Sequence, residues 1–158
     1  MKILEYATKM EIDGEKFYKQ QAANNKDSKL ASVFMSLAND EKKHAEIIKE
    51  KLGNVELTLD EKTLNGGKNV FTNAEGLDYE KGFTEQSDIY EIALEMEAKS
   101  IDLYKNLLKN NPESTEIFDF LIAQEEKHYK LIEEMVVLVN RPNEWVESAE
   151  FGLRKDQY

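Results

Sequence analysis

Apolar residues recur at spacings of three and four along four stretches of this chain, at about 3–24, 27–52, 85–110 and 112–140. That spacing is the period of an α-helix with one buried face. The breaks at 24–28 (Asn-Asn-Lys-Asp-Ser) and 110–114 (Asn-Asn-Pro-Glu-Ser) are short and polar, and Pro112 suits the first position of a helix. Connections this short fold each helix pair into an antiparallel hairpin. Residues 53–84 carry Gly66, Gly67, Gly76 and Gly82 and keep no helical period. A connector of that length needs a reason. Helices of about 25 residues are roughly 37 Å long, so the connector is expected to cross back along the bundle and restart the third helix at the far end. Val55, Leu57, Leu59, Val70 and Phe71 offer it apolar anchors. The pattern predicts an all-α fold, one domain over 1–158, with four helices in two hairpins. Residues 141–158 form a short tail whose Trp145, Val146 and Phe151 are expected to pack on one bundle end or a partner.

The expected buried faces read Leu4, Ala7, Glu11, Gly14, Tyr18 in the first helix, flanked by Met10 and Phe17. The second reads Leu30, Phe34, Leu37, Glu41, His44, Ile48, Leu52; the third Ile89, Ala93, Glu97, Ser100, Tyr104, Leu107; the fourth Phe118, Leu121, Glu125, His128, Ile132, Met135, Val139. Each apolar seam is interrupted near its middle by Glu, and two of them by His one turn later. The two halves also match. An offset of 86 takes Glu11 to Glu97 and Tyr18 to Tyr104; after the turn, an offset of 84 takes Glu41 to Glu125 and His44 to His128. Any two amphipathic helices share leucines, but matched histidines point to a duplicated hairpin and an approximate two-fold axis.

Energetics decide what the interruptions mean. An unpaired carboxylate in a dry core costs several kcal/mol, and four would also repel one another. Total folding stability is only about 5–15 kcal/mol. Two divalent cations among them would balance four carboxylates, so a dinuclear metal site is the economical solution. Glu and His three residues apart share one helix face, which lets Glu bridge two ions while His caps one. Carboxylate-bridged helical bundles use this set, one Glu from each of two helices and one Glu-x-x-His from each of the others. The ligands expected are Glu11, Glu41, His44, Glu97, Glu125 and His128. With 23 Glu in 158 residues, both His would follow a Glu at this spacing by chance in roughly 2% of such chains.

Composition narrows the chemistry further. The chain has no Cys, which excludes thiolate zinc sites, iron–sulfur clusters and a Cys nucleophile. Its 21 Lys and Arg against 32 Asp and Glu give a net charge of −11, which disfavours nucleic acid and anionic membranes as partners. No apolar run is long enough to span a bilayer. A charge by residue 5 argues against a signal peptide, and a cytoplasmic protein is expected.

The segment 10–18 (Met-Glu-Ile-Asp-Gly-Glu-Lys-Phe-Tyr), with Asp40, Glu41, His44 and Glu46, resembles the rubrerythrin branch of the ferritin-like superfamily. Met96, Glu97, Tyr104, Gln124, Glu125 and His128 repeat the pattern. The resemblance spans about 110 residues. It implies a ferritin-like four-helix bundle holding two iron ions, with manganese or zinc as possible substitutes. It also implies reduction of peroxide, with dioxygen chemistry a lesser alternative, and Tyr18 and Tyr104 bonded to ligand carboxylates. Ordinary seam packing is the plainer reading of those tyrosines. Rubrerythrins commonly end in a rubredoxin-like domain with four Cys. This chain is expected to match shorter members and take electrons from a separate donor, rubredoxin-like or other. A homodimer is the expected assembly. Family members usually carry a further Glu one turn from the third-helix Glu. Here the neighbours on that face are Ala93, Leu94, Ser100 and Ile101, which puts ligand switching in doubt.

Three other readings stand beside this one: a ferroxidase or iron-handling protein, a manganese centre that disproportionates peroxide, and a metal-free helical interaction module. Glu15 and Glu126 are alternative ligands should the register differ by a step; the edge of the seam and the surface are the expected places for them. Glu46, Glu50, Glu133 and Glu134 are expected on solvated faces.

Overall fold

A computed structural model describes residues 3–60 and 86–140. Among these residues are four long helices, α1 (Ile3–Asn24), α2 (Leu30–Leu52), α3 (Gln86–Asn110) and α4 (Thr115–Asn140), with a 3-10 turn, Pro112–Ser114, before α4. The all-α, four-helix expectation holds. The connector beyond residue 60, residue 85 of the third predicted helix and the tail lie outside the described residues, as do the side chains of residues 86–88, 139 and 140.

Two helix starts differ from the pattern. The second begins at Leu30, three residues later than predicted, because 25–29 is closed by its own hydrogen bonds. Ser28 N–H donates to Asn25 O (2.9 Å), and Ser28 Oγ accepts from Leu30 N–H (3.1 Å). Serine thus satisfies one of the amides a helix start leaves free. The fourth predicted helix opens as the 3-10 turn, where Pro112 has no N–H to lose, and becomes α-helical at Thr115.

The core has two apolar layers. One gathers Ala7 and Met10 of α1, Ile48 and Leu52 of α2, Leu103, Tyr104 and Leu107 of α3, and Phe118, Leu121 and Ile122 of α4, closed by Leu57. The other gathers Phe17, Tyr18 and Ala22, then Phe34, Leu37 and Ala38, then Ile89, Tyr90 and Ala93, then Ile132 and Met135. Their membership gives the topology. The starts of α1 and α4 share the first layer, while the starts of α2 and α3 share the second. Therefore α1/α2 and α3/α4 are antiparallel, whereas α2 and α3 run in the same direction. The connector leaves at the first layer and must deliver α3 to the second, as the predicted crossover requires. Its described beginning lies against the α3–α4 turn: Thr58 N–H donates to Asn111 Oδ1 (3.1 Å), and Asn111 Nδ2 returns a bond to Thr58 O (2.9 Å). Val55 and Leu59 pack on the first layer.

Candidate metal centre

Between the two layers lies a slab of polar residues. Glu11, Glu41, His44, Glu97, Glu125 and His128 are all buried, none more than 4% exposed. Helical geometry places them there. In each helix the residues one or two turns to either side belong to the apolar layers, so the same face that carries Phe34 and Ile48 also carries Glu41 and His44. The six predicted ligands are brought together.

They fall into two sets, in each of which the ligand atoms lie within 4.8 Å of one another. One is Glu11, Glu41, His44 and Glu125; the other is Glu41, Glu97, Glu125 and His128. Glu41 and Glu125 belong to both, whereas Glu11 and Glu97 each belong to one. Both imidazoles turn Nδ1 inward. His44 Nδ1 lies 2.8 Å from Glu125 Oε1 and 3.4 Å from Glu11 Oε2. His128 Nδ1 lies 3.0 Å from Glu41 Oε1 and 3.5 Å from Glu97 Oε1. The rings are 5.7 Å apart and nearly parallel.

Hydrogen bonds leave the slab incomplete. Among the described residues, Glu11 Oε2, Glu97 Oε2, both Glu125 oxygens and His44 Nδ1 are buried without a hydrogen-bond partner. The close His44–Glu125 approach is not aligned as a hydrogen bond. Buried polar atoms almost always find partners, and leaving one unmade costs about 1–3 kcal/mol. Five such atoms converging on one slab fit a pair of cations: four carboxylates and two imidazoles are the donor set that iron or manganese takes.

The electrostatics divide the carboxylates into two kinds. Burial raises Glu41 and Glu125 well above the ordinary carboxylate range, and the neighbouring Glu charges raise them further. Burial also works against ionisation of Glu11 and Glu97. There, the close approach of Glu41, His44 and Tyr104 on one side, and of Glu125, His128 and Tyr18 on the other, prevails and lowers them. Burial opposes charge on the imidazoles too, but the carboxylates around His44 push it up to about 12, and His128 is likewise raised. Without cations, protons hold this cluster neutral.

The tyrosines bond across the bundle. Tyr18 on α1 donates to Glu97 on α3 (2.5 Å), and Tyr104 on α3 donates to Glu11 on α1. These two bonds exchange under the two-fold relation of the repeat. Burial and the adjacent carboxylates raise both phenols well above their ordinary value, so they stay donors. Each therefore does more than pack. Tyr18→Phe and Tyr104→Phe are each expected to lower stability by about 1–3 kcal/mol by stripping a buried carboxylate oxygen of its donor, measured by urea denaturation of metal-free protein.

Other expectations are settled by position. Glu15 sits at the seam edge, paired with Lys19 (2.8 Å), and Glu126 is exposed near Lys105; neither joins the slab. Glu46, Glu50, Glu133 and Glu134 are exposed. Around Glu97, Ala93 and Ser100 are buried, and Leu94 and Ile101 partly so, which leaves no further carboxylate on that face. Leu4 and Leu30, read as seam residues, are only partly buried because they sit at helix starts, where neighbours cover one side.

Three roles escaped the pattern. Gly14 lets α2 approach: a Cβ there would lie 3.4 Å from Cγ and Cδ of Glu41. Gln21 is buried although it is polar. Asp40 reaches across to α4, its Oδ2 3.0 Å from His128 Nε2. The usable signal for Asp40 was a polar residue directly before the shared Glu in both halves, Asp40 in one and Gln124 in the other.

Comparison with known proteins agrees with this geometry. No curated protein and no solved structure matches the chain. The family model described as Rubrerythrin matches residues 2–136, a span that includes all six slab residues and both tyrosines. By that match, with a ferritin-like bundle around a carboxylate–histidine slab, the chain belongs to the rubrerythrin family.

Proposed function

We propose that this protein is a non-haem di-iron oxidoreductase that reduces peroxide with electrons delivered by a separate donor protein. The supporting observation is the pair of overlapping ligand sets that share Glu41 and Glu125. Glu41 and Glu125 would be held in common by two ions, Glu11 and His44 would complete one position, and Glu97 and His128 the other. When bound, the iron pair supplies Lewis acidity and the two electrons that, with two protons, convert peroxide to two waters. The residues around it fix position and charge. Tyr18 and Tyr104 hold Glu97 and Glu11 in place, and the two apolar layers limit water on both sides of the slab.

Anaerobic reconstitution with Fe(II), followed by peroxide or dioxygen in separate reactions, tests the reading. Uptake of two irons per chain and oxidation at least tenfold faster by peroxide than by dioxygen is the expected result. Faster oxidation by dioxygen, with release of ferric mineral, would favour iron handling instead. Oxygen evolution from peroxide by the manganese-loaded form alone would favour disproportionation. A homodimer is proposed for the assembly, and mass measurement in solution checks it.

A further inference from the structure

The ligand slab is two-fold symmetric, but its support is not. His128 has both ring nitrogens engaged: Nδ1 faces Glu41 Oε1 at 3.0 Å, and Nε2 faces Asp40 Oδ2 at 3.0 Å. A carboxylate oxygen accepts from an N–H, so Asp40 keeps a proton on Nε2 and holds Nδ1 facing the slab, where its lone pair would meet a cation once the Nδ1 proton is displaced. Asp40 sits on α2 beside Glu41 and is partly buried. A carboxylate behind a ligand imidazole fixes the ring's tautomer and orientation and makes it a stronger donor.

The repeat places Gln124 where symmetry calls for a second aspartate, and His44 where it calls for a second His128. An amide can accept from Nε2–H but brings no charge. Moreover, no side chain among the described residues bonds His44 Nε2; every contact of His44 with a described carboxylate is made through Nδ1. Among the described residues the backing is therefore one-sided.

We infer that Asp40 is a positioning residue for His128, and that it makes the Glu41/Glu97/Glu125/His128 position bind its ion more tightly than the Glu11/Glu41/His44/Glu125 position, so that the two fill in order. This inference rests on the dinuclear reading above but not on the identity of the oxidant.

Calorimetric titration of the metal-free full chain with Co(II), followed in parallel by the visible absorption of the bound ion, tests it. The wild type is expected to show two binding events of distinct affinity. Asp40→Ala should weaken the tighter event 10- to 100-fold and leave the weaker one within about twofold. It should also abolish the downfield exchangeable imidazole N–H resonance of His128 in the Co(II)-loaded protein. Asp40→Glu should restore part of both. In the opposite direction, Gln124→Asp should strengthen the weaker event, a gain that a general loss of stability cannot imitate and that stands even if the Asp40 variant fails to fold. Two equal events in the wild type, equal weakening of both by Asp40→Ala, or no strengthening by Gln124→Asp would overturn the inference while leaving a dinuclear centre intact. Absence of Co(II) uptake by the wild type would overturn the dinuclear reading as well.

Discussion

Replacing Glu41 and Glu125 together with leucine is expected to abolish metal uptake and, at the same time, make the metal-free protein more stable. Both residues belong to both ligand sets, so neither position keeps more than two ligands. The stability gain has a separate cause. These are the two carboxyls that burial and neighbouring negative charge hold well above the ordinary range, so in the metal-free chain they are protonated and bring chiefly the cost of buried polar groups, both Glu125 oxygens lacking a hydrogen-bond partner. Removing them leaves Glu11 beside His44 and Glu97 beside His128, two pairs of balanced charge. Exchanging buried ionic groups for apolar ones of similar volume often stabilises by about 1–4 kcal/mol. Elemental analysis after anaerobic loading and urea denaturation of the metal-free form read the two effects. Retained uptake of two ions would refute the shared-ligand geometry, and a loss of stability would mean that the slab stabilises the bundle by itself.

The second large effect concerns pH. In the metal-free folded protein Glu41 and Glu125 hold protons that an unfolded chain has lost above about pH 4.5, and His44 and His128 hold protons that it has lost above about 6.5. The folded state binds more protons, so its stability must fall as pH rises, by about 1.4 kcal/mol per pH unit for each proton so retained. Glu11 and Glu97, which are lowered, act the other way: their contribution is complete above the ordinary carboxylate range and is lost as pH drops through their folded values. Metal-free protein should therefore be most stable near pH 5, and clearly less stable at pH 8. Cations reverse this, because they displace the retained protons. Affinity should rise with pH, and binding at pH 7 should release more than one proton, measurable by calorimetry in buffers of different ionisation heat. Metal-free stability that climbs from pH 5 to 8, or uptake without proton release, would contradict the proposed proton balance.

The ligand set was legible in the sequence because it violates the rule that makes helices readable. A Glu at the position of a core Leu breaks a seam whose other members, His44, His128 and Ser100 aside, carry no strongly polar group, and a duplicated break is hard to obtain by accident. The topology was legible for a similar reason: two short turns and one long connector leave few ways to share a core. What stayed hidden depends on contacts between helices. Asp40 lies beside the seam, half exposed, and its partner is 88 residues away; nothing in the periodicity of α2 reports on the ring of His128. Gln21 continues the three-residue spacing from Tyr18, but a polar residue near a helix end looks like surface. The pattern starts α2 too early because Asp27 and Ser28 resemble a helix beginning, whereas the Ser28 N–H closes the preceding turn on Asn25 O and its hydroxyl accepts from Leu30 N–H, where the helix starts.

Each ligand set takes three of its four members from one hairpin and the fourth from the other. A single half-length chain would thus carry three ligands for one ion and lend the fourth to its twin, so two identical copies meeting about a two-fold axis would supply all six ligands. Tandem fusion of such a gene adds no coordination chemistry. It adds freedom, since afterwards a change in one half no longer appears in the other. Aspartate at position 40 and glutamine at its counterpart 124 are a difference that two identical copies could not hold.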